Sequence, residues 1–194
     1  MSAQKIKEAA LNLFADHGYE GTSLSQIADE IGLKKQSIYS HFRSKDDLFL
    51  TVLTETFELE VQQKIADLKE REGENLKDFL FLSLNSYIER FQSDLHLKFW
   101  LRVSFFPPAH LYEEVMEYLY KYIDEVDSLY YQRFELAVAQ EDMRKMNPEV
   151  ASMAYSALID SICVELVYGG TERSEKKLSA AWLVYWAGIS RLEN

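Results

Sequence analysis

Apolar residues recur every three or four positions along most of the chain, which is the spacing of amphipathic helices. The first apolar stripe predicts a helix over residues 3–16 and consists of Ile6, Ala9, Ala10, Leu13 and Phe14. Gly18 ends this helix, because glycine readily takes the left-handed conformation found after helix C-termini. The sequence shows no alternating apolar and polar runs of the kind that indicate strands. The pattern therefore predicts an all-α fold.

Two short helices separated by a glycine are predicted next. Ser23, followed three positions later by a glutamine, has the spacing of a capping box, so the first short helix begins there. Gly32 allows a tight exit from it. The second short helix is predicted at residues 34–42, with Ile38 and Phe42 on its buried side. Two short helices around a glycine turn indicate a helix-turn-helix motif.

Longer helices are predicted in the rest of the chain. One runs from residue 45 to about residue 70. The later ones are predicted at residues 75–92, 94–105, 108–142, 148–168 and 173–191. Proline or glycine residues stand at most of the breaks between them, where they interrupt helical hydrogen bonding. The predicted organisation is an N-terminal three-helix domain at residues 1–48, with the helix-turn-helix at about 23–42, followed by a larger helical domain at 49–194.

The formal net charge of −11 is unevenly distributed. The first fifty residues hold six Lys/Arg and seven Asp/Glu and are close to neutral, so the acidic excess lies in the remainder. A local basic group at Lys34, Lys35, Arg43 and Lys45 remains compatible with DNA binding. The single cysteine, Cys163, suits a reducing compartment. No uninterrupted apolar run approaches the roughly 18 residues that span a bilayer, and no signal peptide is evident, so we expect a cytoplasmic protein without membrane contact.

The helix-turn-helix residues resemble a known family. The segments Ser23-x-x-x-Ile27-Ala28, Ile31-Gly32-Leu33 and Ile38-Tyr39-Ser40-His41-Phe42-x-Ser44-Lys45-x-x-Leu48 are similar to the DNA-binding domain of TetR/AcrR-family transcriptional regulators. The resemblance covers about residues 3–50, and its most specific part is Tyr-x-His-Phe-x-x-Lys-x-x-Leu. It implies a homodimer whose partners are double-stranded DNA and a small-molecule effector.

Base reading is predicted on the outward side of the second short helix. Ile38 and Phe42 are expected to turn inward. On the opposite, outward side, lysine side chains can reach guanine acceptors, and Gln36 can pair with adenine through two hydrogen bonds. The resemblance also implies phosphate contacts by Tyr39, His41 and Lys45. The predicted DNA-binding residues are Ser23, Lys34, Lys35, Gln36, Ser37, Tyr39, Ser40, His41 and Lys45. The alternative to DNA contact is that Lys34, Lys35 and Lys45 form a solvated charged face and that His41 is a packing residue.

Two positions depart from the family pattern. Lys34 stands where the family usually begins its recognition helix with serine or threonine, so the N-cap side chain is lost. Ser25 stands where an arginine is common, which removes one expected phosphate contact. We therefore expect modest affinity for DNA.

Residues 79–131 are dense in aromatic side chains. A helical core is the plain interpretation, but rings combined with a few polar groups also suit a small-molecule cavity, and the family resemblance implies one among the central helices. The predicted lining residues are Tyr87, Phe91, Trp100, Phe105, Tyr118 and Tyr122. Acidic neighbours would favour a cationic amphipathic ligand unless they face solvent. The candidate acids are Glu113, Glu114, Glu117, Asp124 and Asp160.

The two C-terminal helices are predicted to pair with those of a second copy. The last helix is apolar nearly all round, which indicates burial on several sides. The predicted interface residues are Val150, Ala154, Ala157, Leu158, Leu178, Trp182, Tyr185, Trp186 and Ile189. Two-fold symmetry would place two recognition helices in successive major grooves, roughly 34–36 Å apart.

The sequence thus predicts a ligand-responsive transcriptional regulator, a repressor released from a near-palindromic operator when a small amphipathic molecule binds. The alternative is a helical ligand-binding or interaction protein that does not bind DNA. An enzyme is not predicted, because no glycine-rich phosphate loop, His-Glu-x-x-His motif or serine-nucleophile motif occurs. The four histidines are scattered and Cys163 lies among apolar residues, so we expect neither a metal nor a cofactor.

Overall fold

Residues 3–191 of the computed structural model form eight α-helices and one 3-10 turn, with no strand among them. The helices are α1 (Ala3–His17), α2 (Leu24–Glu30), α3 (Lys35–Ile38), α4 (Lys45–Glu70), α5 (Leu76–Phe91), α6 (Leu95–Phe105), α7 (Tyr112–Ala139) and α8 (Pro148–Ile189), and the 3-10 turn spans Ala109–Leu111. The predicted all-α fold class is confirmed.

Side chains cap the helix starts where the sequence offers Ser, Asn or Asp. The Ser23 hydroxyl accepts from the Gln26 amide and the Gln26 side chain accepts from the Ser23 amide, so the predicted capping box is confirmed. Asn75 and Asp94 cap α5 and α6 with their own side-chain oxygens. Each cap satisfies an amide that has no partner inside its own helix.

The helix predicted at residues 34–42 is much shorter in the structure. Only Lys35–Ile38 is helical, and Lys34 makes no side-chain cap hydrogen bond. The chain continues in a turn, closed by the Phe42 amide donating to the Ile38 carbonyl oxygen over 3.0 Å. Without an N-cap, the short helix is held by its buried anchors and not by its own ends.

One helix in the second half of the chain starts later than predicted. The helix expected from residue 108 begins at Tyr112, and a 3-10 turn at Ala109–Leu111 precedes it. The two predicted C-terminal helices are both present within the span of α8, and the backbone is not helical where they meet at Gly170, so the predicted break is confirmed. The backbone of Gly170 has φ 76°, a conformation that glycine adopts without a steric penalty.

The described residues divide into two compact units. Unit 1 comprises residues up to Glu60 together with Asp94–Tyr120, and unit 2 comprises Val61–Ser93 together with the described residues from Lys121 onward. This division differs from the predicted boundary at residues 48 and 49, because α6 packs against α1 within unit 1.

Aromatic rings form the core of unit 1. Phe49 lies between Phe14 and Phe99, with ring centroids 5.1 Å and 5.7 Å away. Arg102 of α6 donates from Nε to the Ala15 carbonyl oxygen over 2.7 Å, and from Nη2 to the next carbonyl over 3.0 Å. These bonds satisfy carbonyls at the C-terminus of α1 that have no helical partner. Helix α6 thus fixes the helix that supports the helix-turn-helix.

The core of unit 2 is built where α5 meets α8. The Tyr155 hydroxyl donates to the Leu80 carbonyl oxygen over 2.7 Å, and the Tyr155 ring meets the Tyr130 ring edge-on at 4.8 Å. Phe79 also packs edge-on against Tyr130. All four side chains are buried.

Within residues 3–191, α8 is the one helix long and apolar enough to cross a membrane by length and composition alone. A third of its most apolar 18-residue stretch is buried, and α8 packs on α5, where the Tyr155 hydroxyl donates to the Leu80 carbonyl oxygen. Within unit 2, α8 is therefore a packed helix.

Candidate nucleic-acid interface

The recognition segment presents its polar side chains outward, as predicted. Ile38 is fully buried and Phe42 nearly so, and the apolar face of α2 is buried as well. Lys35 and Gln36 are exposed, and Tyr39 is 51% exposed. The exposed polar residues of the segment are Lys34, Lys35, Gln36, Tyr39, Ser40 and His41. An anchored segment with a polar outer side has the form required to enter a major groove.

Two predicted contact residues are partly engaged in local structure. Ser23 is exposed, but its oxygen accepts from the Gln26 amide, so its first role is to begin α2. Ser37 is half-buried, and its carbonyl oxygen accepts from the Ser40 hydroxyl over 2.7 Å. The Ser40 proton is therefore committed, although the residue remains exposed.

Lys45 is not the free cation that the sequence suggested. Its ammonium donates to the carbonyl oxygens of Tyr19 and Thr22 over 2.9 Å and 3.0 Å. It also lies 3.7 Å from the centroid of the Tyr19 ring, as a cation–π contact. Two of its three donors therefore hold the turn between α1 and α2, and its contact with phosphate stays a prediction.

A polar cluster that sequence reasoning missed surrounds Asp46. The Tyr19 hydroxyl donates to the Asp46 carboxylate, and His110 Nε2 lies 3.3 Å from Asp46 Oδ1. The hydrogen bond from Tyr19 is the main cause that lowers the pKa of Asp46, with His110 adding to it. Burial and the nearby carboxylate raise the pKa of Tyr19. The cluster joins the α1–α2 turn, the start of α4 and the 3-10 turn, three segments far apart in sequence.

Arg43 is an exposed cation that the predicted DNA-binding set omitted. Its side chain is 91% exposed and follows the buried anchor Phe42 directly. Its backbone amide donates to Asp47 Oδ2 over 2.8 Å, and this hydrogen bond is the main cause that lowers the pKa of Asp47. The guanidinium lies 3.4 Å from the same carboxylate. The sequence had placed Arg43 in the basic group, and its position beside Phe42 was the signal to include it.

The residues predicted to line a ligand pocket belong to both units. In unit 1, Trp100 and Tyr118 pack on Phe57, with ring centroids 6.0 Å and 5.6 Å away, and Phe105 is half-buried.

In unit 2, Tyr87 and Tyr122 are buried with their hydroxyl oxygens 3.4 Å apart, and Phe91 is half-buried. Burial is the main cause that raises the pKa of Tyr87. These contacts are those of an aromatic core. The pocket stays a prediction.

The acidic residues proposed to attract a cationic ligand lie at the surface. All five are exposed: Glu113, Glu114, Glu117, Asp124 and Asp160. This agrees with the alternative that these carboxylates face solvent, although burial still raises the pKa of Asp160. Attraction of a cationic ligand stays a prediction.

Three of the residues predicted for a dimer interface face inward. Leu178, Trp182 and Ile189 are buried within unit 2, where they pack in the core of their own chain. Tyr185 is half-buried and donates to the Ala151 carbonyl oxygen over 2.9 Å, and Trp186 stacks on Trp182. The apolar spacing correctly predicted a helix. It did not show which of the apolar side chains pack within their own chain and which remain exposed for a second copy.

The exposed apolar side of α8 is made largely of other residues. Val150, Ala154 and Ala157 of the predicted set are exposed and Leu158 is half-buried. The large apolar side chains that the prediction omitted are Met153, Val164, Tyr168, Leu183 and Val184. Leu183 and Val184 are 72% and 76% exposed. So many exposed apolar side chains on one helix indicate a contact surface.

Comparison with known proteins connects this arrangement to a family. Residues 6–52 match the family described as bacterial regulatory proteins, tetR family. YerO of Bacillus subtilis, an uncharacterized HTH-type transcriptional regulator, is 24% identical over 93% of this chain, which spans 61% of the length of YerO. IcaR of Staphylococcus epidermidis, a negative transcriptional regulator of the biofilm operon icaADBC, is 27% identical over 71% of this chain and 74% of its own.

Solved structures share the fold over nearly the whole chain. The transcriptional regulator FadR of Bacillus subtilis, in complex with stearoyl-CoA, is 19% identical with a TM-score of 0.65, over 93% of this chain and 97% of its own. SmeT, in complex with triclosan, is 17% identical with a TM-score of 0.71, over 97% of this chain and 91% of its own. The comparisons thus show a tetR-family match at residues 6–52 and, over nearly the whole chain, the fold of these solved structures.

Proposed function

We propose that this protein is a ligand-responsive repressor that binds a near-palindromic DNA operator as a homodimer. The observation that carries the proposal is the recognition segment, in which Lys35, Gln36 and Tyr39 project outward above the buried Ile38 and Phe42. Negative regulation is supported by the similarity to IcaR, a negative transcriptional regulator. Cytoplasmic location and the absence of catalytic activity follow from the same proposal.

Base reading is assigned to α3 and backbone contact to its surroundings. Lys35 and Gln36 lie in the first turn of α3, where side chains of a recognition helix reach base edges. The proposed phosphate contacts come from the exposed side chains that flank it, which are Lys34, Tyr39, His41 and Arg43. Phosphate contacts set the orientation on the duplex and carry no sequence information directly.

The remainder of the chain is proposed to sense an effector and to dimerise. FadR and SmeT form complexes with stearoyl-CoA and triclosan, which supports a small amphipathic effector for this chain as well. Helix α4 starts at Lys45 and Asp46, the residues that hold the α1–α2 turn. A shift of α4 would therefore move the helix-turn-helix, and a coupling of about 1–3 kcal/mol would change operator occupancy by roughly 5–150-fold.

Selection of bound oligonucleotides from a random pool, followed by gel shift, tests the proposal. A near-palindrome should emerge, and affinity should fall steeply as salt rises. Gln36→Ala should relax preference at one position of each half-site, whereas Lys34→Ala should weaken all sequences alike and reduce the salt slope by about one. Lys176→Ala, an exposed lysine of α8, is the matched control. Failure to enrich any sequence would overturn the proposal.

A further inference from the structure

A groove of about 230 Å³ lies within unit 2, between the C-terminal end of α4, the start of α5 and the C-terminal half of α7. Its apolar wall is formed by Ile65, Leu68, Phe79, Leu129 and Leu136. Its polar residues are Lys69, Glu72, Gln132 and Arg133. The groove shares no residue with the set that the sequence predicted for a ligand pocket.

Arg133 is the polar group most firmly fixed in this groove. Its Nη2 donates to the Glu74 carbonyl oxygen over 2.8 Å, and the guanidinium carbon lies 5.3 Å from the centroid of the Phe79 ring. These two contacts hold the guanidinium in one position. Its Nε is buried and finds no acceptor among the described residues.

The Arg133 guanidinium also lines the groove, where it places a fixed positive charge with N–H donors. A carboxylate would accept from it best, because both partners of the hydrogen bond are then charged. Lys69, exposed at the rim, adds a second positive charge, against one negative charge from Glu72. The remaining wall is apolar and therefore suits a hydrocarbon body.

We propose that this groove binds a small carboxylate with an apolar tail. The carboxylate accepts from Arg133, and the tail lies along Leu68, Leu129 and Leu136. The groove is smaller than the roughly 300–1,000 Å³ of pockets for drug-sized ligands, so a medium-chain acid fits better than a long one. Such an acid would be the effector of the proposed repressor. Its regulatory role rests on the proposed function, whereas its binding to the groove does not.

Calorimetric titration of the full-length chain at neutral pH tests this directly, with octanoate, octan-1-ol and octylamine as probes of equal tail length. Octanoate should bind with the lowest Kd. Arg133→Met should weaken octanoate binding by roughly tenfold or more, because a hydrogen bond to a charged partner is lost. Arg133→Lys keeps the charge but loses the planar guanidinium with its parallel N–H donors, so its Kd for octanoate should lie between those of the wild type and Arg133→Met.

Lys176→Met provides the matched control, since it removes one positive charge from an exposed site outside the groove. It should leave octanoate binding within a factor of about two. Leu136→Trp fills the groove from a side chain that is already 52% exposed, so the fold should tolerate it. Leu136→Trp should also abolish most of the octanoate binding. It therefore tests the groove independently if Arg133→Met folds poorly.

Octanoate binding that persists in both Arg133→Met and Leu136→Trp would overturn the proposal, as would equal affinity for the alcohol or the amine. A gel shift with the selected operator separates this result from the fate of the proposed function. Normal DNA binding without octanoate binding overturns only the groove assignment. Octanoate binding that depends on Arg133, in a chain that binds no DNA, supports the groove and refutes the repressor.

Discussion

The ammonium of Lys45 lies 3.0 Å from the carbonyl oxygen of Thr22, so the first residue of α4 closes the turn that leads into α2. A second bond to the Tyr19 carbonyl oxygen completes the contact. A lysine in this position of the motif was expected to contact phosphate. In the structure it also holds the turn that leads into α2, while its contact with phosphate stays a prediction.

Lys45→Met should therefore lower the stability of the protein itself. The variant keeps the aliphatic stem but loses two hydrogen bonds from a charged donor, each of which is worth about 1.5–3 kcal/mol before solvent exposure reduces it. We expect a loss of roughly 1–3 kcal/mol in the free energy of unfolding. Urea unfolding followed by circular dichroism measures it.

Lys35→Met serves as the control for Lys45→Met. The Lys35 side chain is exposed and makes no hydrogen bond to other described residues, so its loss should change the free energy of unfolding by less than about 0.5 kcal/mol. DNA affinity should fall in both variants. An unchanged unfolding curve for Lys45→Met would show that the two carbonyl contacts do not stabilise the turn.

The pH dependence of stability should carry a contribution from Asp46. The hydrogen bond from Tyr19 lowers the pKa of this carboxyl in the folded protein. A lowered folded-state pKa stabilises the protein above the unfolded value of about 3.9, and this contribution is lost as pH falls through the folded value. Asp46→Asn should therefore flatten the loss of stability that sets in as pH falls below about 5.

Urea unfolding at a series of pH values measures this slope. The effect should be modest, because the Asp46 side chain is 43% exposed and solvent screens its interactions. Glu113→Gln, which removes an exposed carboxylate of α7, should leave the slope as it is in the wild type. If Asp46→Asn shows the full wild-type acid slope, the cluster with Tyr19 and His110 contributes nothing to folding.

Local signals predicted much of this fold. Helical spacing, the capping box at Ser23 and the anchors Ile38 and Phe42 are each determined by residues a few positions apart, and the structure confirms them. The contacts of Lys45 and Asp46 depend on which segments meet in three dimensions, and no periodicity encodes that. The same limit applies to α8, where the apolar spacing of Leu178 is clear but its direction is set by packing against other helices.

The kink at Gly170 should be intolerant of any side chain. Its φ of 76° is a conformation that other residues adopt only with strain, so Gly170→Ala should lower the free energy of unfolding by about 1 kcal/mol or more. Two ion pairs hold the same region, with Glu165 contacting Arg173 at 2.5 Å and Lys177 at 3.1 Å. Thermal unfolding of the variant measures the loss.

Gly188→Ala is a matched control on the same helix. Apart from its two chain neighbours and the nearby backbone of its own helix, no atom of the described residues lies within 4 Å of the position that an added methyl group would take. Its φ is not positive, so alanine should stabilise α8 by roughly 0.5–1 kcal/mol. A lower free energy of unfolding for Gly170→Ala together with a higher one for Gly188→Ala would demonstrate the strained conformation at Gly170. A stabilising Gly170→Ala would mean that α8 runs straight through this position in solution.

The exposed apolar side of α8 makes the proposed homodimer testable. Leu183 and Val184 are the most exposed large apolar residues of the helix, whereas Trp182 beside them is buried. The double variant Leu183→Glu with Val184→Glu should be monomeric by light scattering, because burying two unpaired carboxylates in an apolar interface is costly.

Its helical circular dichroism should match the wild type, because neither residue contributes to the core of its own chain. Operator affinity should fall by roughly a hundredfold or more, since each half-site then binds without its partner. Tyr120→Glu, a charge introduced at an exposed aromatic residue of α7, should remain dimeric and bind DNA normally. A dimer that survives both carboxylates would place the interface on another surface of the chain.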